Sequence, residues 1–160
     1  MKYTINYHDT FSRQKTIIII IINMRYNKVA SYIHWTICKQ MELQVTDKYY
    51  QHIPERVINV NGTAAMWYVP VITDRTIVAN PPCIVLHDEK EICLLIDIAI
   101  TDDSNLNTKE TEKLSMYKDL EIEVSTMWKV RTKVVPVIIG ALGTIEKGLD
   151  QNLQLLPGHP

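Results

Sequence analysis

The stretch Ile92 to Ile100, ICLLIDIAI, limits what this chain can fold into more than any other. Every residue in it is apolar except Asp97, and it lies between the polar phrases HDEKE and TDDSN. A continuous apolar run of this length, bounded in this way, reads as a strand buried on both faces. Such a strand offers no water to a carboxylate, and an unpartnered buried charge costs roughly several kcal/mol. Asp97 therefore needs a partner: a backbone cap, a basic side chain or a metal ion.

The rest of the chain supplies a setting for that strand. At 160 residues it is long enough for one domain that buries about two-thirds of its unfolded surface. A net charge of −1 argues against wholesale electrostatic attraction to nucleic acid, so any such contact needs a local patch. Cys38, Cys83 and Cys93 are odd in number and contain no C-x-x-C pair. This disfavours a disulfide framework and a cysteine-rich zinc site, and it fits a reducing compartment. A nuclear or cytoplasmic location, not secretion, is the expectation. His34 and Cys38 stand four apart and can share a helix face, but two ligands do not make a zinc site. The pair reads as helix packing, and no zinc is expected.

Met1 to Arg25 does not read as the start of a domain. Ile17 to Ile22 is an unbroken isoleucine run. It falls far short of the roughly 20 residues that a membrane helix needs, and no small-residue cleavage site follows it. No membrane partner is expected. The run is β-prone and aggregation-prone, and it reads as a simple repeat outside the domain, with Met24 as an alternative start. The division is therefore 1–25 as an extension, 26–156 as the domain and 157–160 as a tail.

From Asn27, a plausible cap, Val29, Ile33, Ile37 and Met41 repeat every four residues, with Ala30 widening the stripe. This predicts a helix that ends before Thr46. Asn61-Gly62 marks a turn. Three strand-like runs follow: Met66–Thr73, with Pro70 at an edge or bulge, then Cys83–His87, then Ile92–Ile100. The link His87–Glu91 fits a hairpin between the last two. Asn107 and Glu110 form a capping box for a helix carrying Leu114, Tyr117, Leu120, Val124, Met127 and Trp128 on one face. Lys113 falls near the middle of that face and so points at the sheet. Val134–Ile139 reads as a last strand, with Pro136 at an edge or bulge, and a short helix over Thr144–Leu155 closes the chain. The predicted fold is an α/β layer with a small mixed sheet, in the order helix, three strands, helix, strand, helix.

In that arrangement Asp97 and Lys113 converge where the central strand leaves the sheet. The carboxylate can hold a hard divalent cation while the ammonium positions or deprotonates a water. A structural ion pair, or a carboxylate capping a loop, explains the same spacing. Glu110, Glu112, Asp119, Glu121 and Glu123 interleave with the helix lysines, which reads as a solvated face and not as a basic groove.

From about Tyr26 to Leu149 the chain resembles the C-terminal region of non-LTR retrotransposon polyproteins. The phrases that carry the likeness are NKVA-x-x-IHW-x-x-C at Asn27–Cys38, Thr73-Asp74, CLLIDIAI at Cys93–Ile100, EK-x-x-x-Y at Glu112–Tyr117 and VIIGALG at Val137–Gly143. The resemblance implies a restriction-endonuclease-like PD-(D/E)XK core, attached in such elements to a reverse transcriptase and used to nick target DNA in the presence of Mg2+ or Mn2+. By position, it makes Asp97 the third-strand metal ligand, with the carbonyl of Ile98 as a further one. Lys113 becomes the charge stabiliser or water positioner, and Tyr117 a packing residue with a phosphate contact. The chain departs from the pattern on the helix and on the second strand. Met116 stands where the helix motif has a second lysine, and Pro81-Pro82-Cys83 stands where the second strand has basic-Pro-Asp. A thiolate is a poor ligand for magnesium. The expectation is a truncated, inactive remnant of the endonuclease, with DNA as the ancestral partner. The alternative is a non-catalytic DNA- or protein-binding module on the same fold.

Overall fold

The computed structural model describes residues 7–79, 81–88, 92–101 and 106–140, and side-chain packing from Met24 onward. The described residues form a mixed α/β structure with a five-stranded mixed sheet and three α-helices. The sheet follows chain order: β1 (Val57–Val60), β2 (Thr63–Trp67), β3 (Ile84–Asp88), β4 (Ile92–Thr101) and β5 (Arg131–Gly140). The first four strands form an antiparallel meander. Helices α2 (Leu106–Met116) and α3 (Lys118–Trp128) then carry the chain across, so that β5 adds parallel to β4. A parallel neighbour requires such a crossover.

The apolar run behaves as its composition requires. Cys93 to Ala99 are all buried, and the two faces of β4 enter different layers. Leu94, Ile96 and Ile98 join Ile33, Ile37 and Ala30 of α1 (Tyr7–Gln40). Cys93 and Leu95 join Tyr117, Leu120 and Val124 on the other side. Full burial of a side chain such as Ile96, at 0% exposure, stabilises the fold by about 1.5–3 kcal/mol.

Several boundaries differ from the sequence reading. Helix α1 begins at Tyr7, not Asn27, and passes through the isoleucine run. That run is therefore helical here, and Asn27 lies within the helix and caps nothing. Isoleucine is only modestly disfavoured in helices, by less than about 1 kcal/mol per residue, so a β-prone run can continue one. The helix ends at Gln40, where Glu42 turns left-handed (φ 60°) and the Leu43 amide donates to the Cys38 carbonyl. Strand β1 was not foreseen. It forms because Asn61 and Gly62 both take positive φ (52° and 81°), the geometry of a tight hairpin turn. β2 starts earlier than expected and stops at Trp67, before Pro70: Tyr68 adopts φ 49°, and its amide makes a last cross-strand bond to the Cys83 carbonyl at 2.9 Å before the chain turns away. Among the described residues Pro136 does sit in an edge strand, as β5 pairs there with β4 alone.

The long helix predicted over 107–128 is two helices joined at Tyr117 (φ −93°, ψ 4°). Asn107 lies inside α2, so the predicted capping box is not the start of the helix. Leu114, assigned to the buried stripe, is 41% exposed. At about 100° per residue it stands a quarter-turn from Lys113, and it is Lys113 that faces the sheet. The expected helix over Thr144–Leu155, the tail and the link from β3 to β4 at 89–91 lie outside the described residues. No helix among the described residues is long and apolar enough to cross a membrane.

Candidate functional site

The site arises from unequal strand lengths. β3 pairs with β4 only from His87 opposite Cys93 to Ile84 opposite Ile96, whereas β5 follows β4 as far as Thr101. Asp97 is thus the first β4 residue past the end of β3. It shares the side-chain parity of Cys93 and Leu95 and so faces the α2–α3 layer. The notch left by β3 is filled by Cys83, which is 2% exposed.

Asp97 meets Lys113 and Cys83 there, with the Tyr117 phenol close enough to act on the same carboxylate. Its Oδ2 lies 2.7 Å from the Lys113 ammonium, with the two side chains only 7% and 18% exposed. Its Oδ1 accepts from the Cys83 thiol at 3.1 Å. The Ile98 amide in turn donates to Cys83 Sγ at 3.4 Å, which brings the Ile98 peptide into the site. A second layer consists of phenols. The Tyr68 hydroxyl donates to that of Tyr26, and Tyr26 meets Cys83 Sγ. Tyr117 is 4% exposed, and its hydroxyl donates a long hydrogen bond, 3.5 Å, to the Pro81 carbonyl.

The electrostatics favour neutral thiol and phenols. Burial, followed by the Asp97 carboxylate, pushes the Cys83 thiol up to about 11. Burial, and next the same carboxylate, holds Tyr117 well above the ordinary phenol value. Tyr26 and Tyr68 are raised chiefly by burial. A carboxylate paired with an ammonium and a protonated thiol is a locally neutral group. It offers one hard oxygen donor side chain to a cation, where a magnesium site uses one or two carboxylates with substrate phosphates and water.

The two groups singled out in the sequence, Asp97 and Lys113, are therefore in contact. Cys83 is in contact with Asp97, and Tyr117 lies beside them. Met116 is not part of the site: it is 45% exposed. Among the described residues no acid stands in for Cys83 beside Asp97. Asp88 accepts from Thr63 Oγ1 at the opposite end of β3, and Asp74 is exposed. Tyr26 and Tyr68 were missed. Tyr26 stood at the edge of what read as an extension, and Tyr68 inside a predicted strand. Only the turn at Tyr68, which the sequence does not announce, directs its phenol here.

The outer face of α2 and α3 forms pairs within the protein: Lys109–Glu112 at 3.3 Å, Lys118–Glu121 at 3.4 Å and Arg75–Glu123 at 3.3 Å. These ammonium and guanidinium groups answer nearby carboxylates and do not form a basic strip. No protein-family model, curated protein sequence or solved structure matches this chain.

Proposed function

We propose that this protein is an inactive remnant of a retrotransposon endonuclease domain, whose ancestral reaction was metal-dependent nicking of DNA. The observation that carries this reading is the Lys113–Asp97 contact at 2.7 Å with a thiol 3.1 Å from the same carboxylate. The thiol occupies the position at which the resemblance calls for a second acid. Further support comes from topology: an antiparallel meander, a helical crossover and a parallel strand follow the order expected of a restriction-endonuclease-like core. In the ancestral site two carboxylates and the Ile98 carbonyl would hold Mg2+ or Mn2+, and the Lys113 ammonium would stand beside the attacking water. Here one acid is gone, and the remaining one is held by the ammonium.

The test is a Cys83→Asp variant of the full chain, compared with the native protein on supercoiled plasmid in Mg2+ or Mn2+. The native protein leaves the plasmid intact. The variant melts lower than the native protein without metal, because two carboxylates then face each other. It recovers stability on adding Mn2+ and nicks the plasmid. A variant that neither gains stability with Mn2+ nor nicks DNA would overturn the reading. A shift of DNA mobility by both proteins, with no nicking by either, would favour a non-catalytic binding module instead.

A further inference from the structure

A second cluster of chemically active side chains lies where α1 ends, outside the network around Asp97. His34 and Cys38 occupy successive turns of α1 and are 0% and 2% exposed. His52 follows the short 3-10 turn Tyr49–Gln51, its amide donating to the Tyr49 carbonyl. His34 Nδ1 lies 2.7 Å from His52 Nε2, and Cys38 Sγ lies 3.5 Å from the same Nδ1. The three donor atoms all fall within 4.8 Å of one another. Glu55 lines the same cavity as Cys38 and His52, and its carboxylate acts electrostatically on both.

We infer that His34, Cys38 and His52 form a zinc-binding site, with the Glu55 carboxylate or a water as the fourth ligand. Two imidazoles and a thiol are borderline-soft donors that suit zinc and are poor partners for magnesium. With Zn–N near 2.0–2.1 Å and Zn–S near 2.3 Å, a tetrahedral site needs about 3.3 Å between nitrogens and about 3.6 Å from nitrogen to sulfur. The Cys38–His34 separation already matches, and the imidazole pair must part by about 0.6 Å.

The loop bearing His52 is held in place independently of any ion. Trp35 Nε1 donates to the Thr46 carbonyl at 2.9 Å, and the His34 ring stacks on His52 and meets the edge of Trp67. His34 Nε2 is buried with no partner at hydrogen-bond geometry. Burial, and next the neighbouring His52, push the ring down towards its neutral form, against a smaller opposing effect of the Glu55 backbone. A histidine that ligates through Nδ1 needs its proton at Nε2, where a backbone carbonyl usually receives it. Binding releases one proton, from the Cys38 thiol. The imidazole that donates within the pair moves its own proton to its far ring nitrogen.

Such an ion would tie the end of α1 to the segment that leads into β1. The site lies eight residues beyond Tyr26, about 12 Å along the helix, and its existence does not depend on the proposed ancestry.

Metal-stripped full-length protein, titrated with Zn2+ against a chromophoric chelator, should bind one ion per chain and melt at a higher temperature. Co2+ in place of zinc should give the visible bands of a tetrahedral ion together with a thiolate charge-transfer band. Cys38→Ser should abolish that band, and His52→Gln should weaken zinc binding about tenfold or more, both with unchanged far-ultraviolet circular dichroism. If either variant fails to fold, the native cobalt spectrum decides alone. Absence of stoichiometric binding, or cobalt bands with no thiolate component, would overturn the assignment.

Discussion

Replacing Lys113 with methionine tests the geometry on which the nuclease reading stands. Methionine keeps most of the side-chain volume and removes the ammonium that lies 2.7 Å from Asp97 Oδ2. The carboxylate then keeps the Cys83 thiol, a weak donor, at 3.1 Å, and the neighbouring Tyr117 phenol. With both members of the pair largely enclosed, removal of one strands a buried charge and costs about 3–5 kcal/mol. Taking about 3 kcal/mol, and about 2–4 °C per kcal/mol for a chain of this size, the melting temperature should fall by about 6–12 °C. The decisive measurement is a urea-unfolding cycle with Lys113→Met, Asp97→Asn and the double variant. The double variant should be more stable than the sum of the two losses predicts, by about 1–3 kcal/mol. A coupling below about 0.5 kcal/mol would show two groups that do not meet. The convergence of strand and helix on which the site depends would then be refuted.

Two further outcomes follow from burial. Cys83 and Cys93 are raised by burial to about 11 and about 12 from an ordinary value of 9.0. Their folded states hold the proton more tightly, so their contribution is complete below pH 9 and is lost as pH rises through 11 to 12. Native protein at pH 8 should leave both thiols unreactive to a thiol reagent and release them on unfolding. The urea midpoint should drop across the alkaline range, and less so in a Cys93→Ala variant; a flat profile would contradict the burial. On α3, Leu120→Ala (0% exposed) should cost about 2–5 kcal/mol, whereas Ile122→Ala (50% exposed) should stay within about 0.5–1 kcal/mol by chemical denaturation. Equal losses would mean that α3 docks through another face.

The parts legible in the sequence were those set by local periodicity. The doubly buried β4 follows from its unbroken apolar run, and the α1 stripe Ala30, Ile33 and Ile37 from its four-residue repeat. The inward turn of Lys113 follows from helical geometry alone. What could not be read depends on the backbone leaving its regular path. Tyr68 and Glu42 take positive φ with side chains that seldom do so, and these turns shape the phenol layer and the end of α1. The break at Tyr117 is equally silent, since Ser115, Met116 and Tyr117 are all tolerated within helices. His52 escaped for a different reason. Its partners lie fourteen and eighteen residues upstream in an H-x-x-x-C pair that matches no standard zinc spacing, and only the fold of the intervening loop brings the three together.

Under the proposed ancestry, the loss of an acid at position 83 and the survival of this sheet would be physically compatible. Two carboxylates in one dry notch repel each other and depend on a cation for relief. A thiol removes that repulsion and keeps the local bonding. It donates to Asp97 Oδ1 and accepts from the Ile98 amide, so neither group is stranded. The Lys113 ammonium then balances the one remaining charge. In this structure the notch is a closed internal ion pair, roofed by Tyr26 and Tyr68; on the proposed ancestry it would once have needed a metal. On that reading, selection for catalysis could lapse while the core packing on both faces of β4 holds the chain folded.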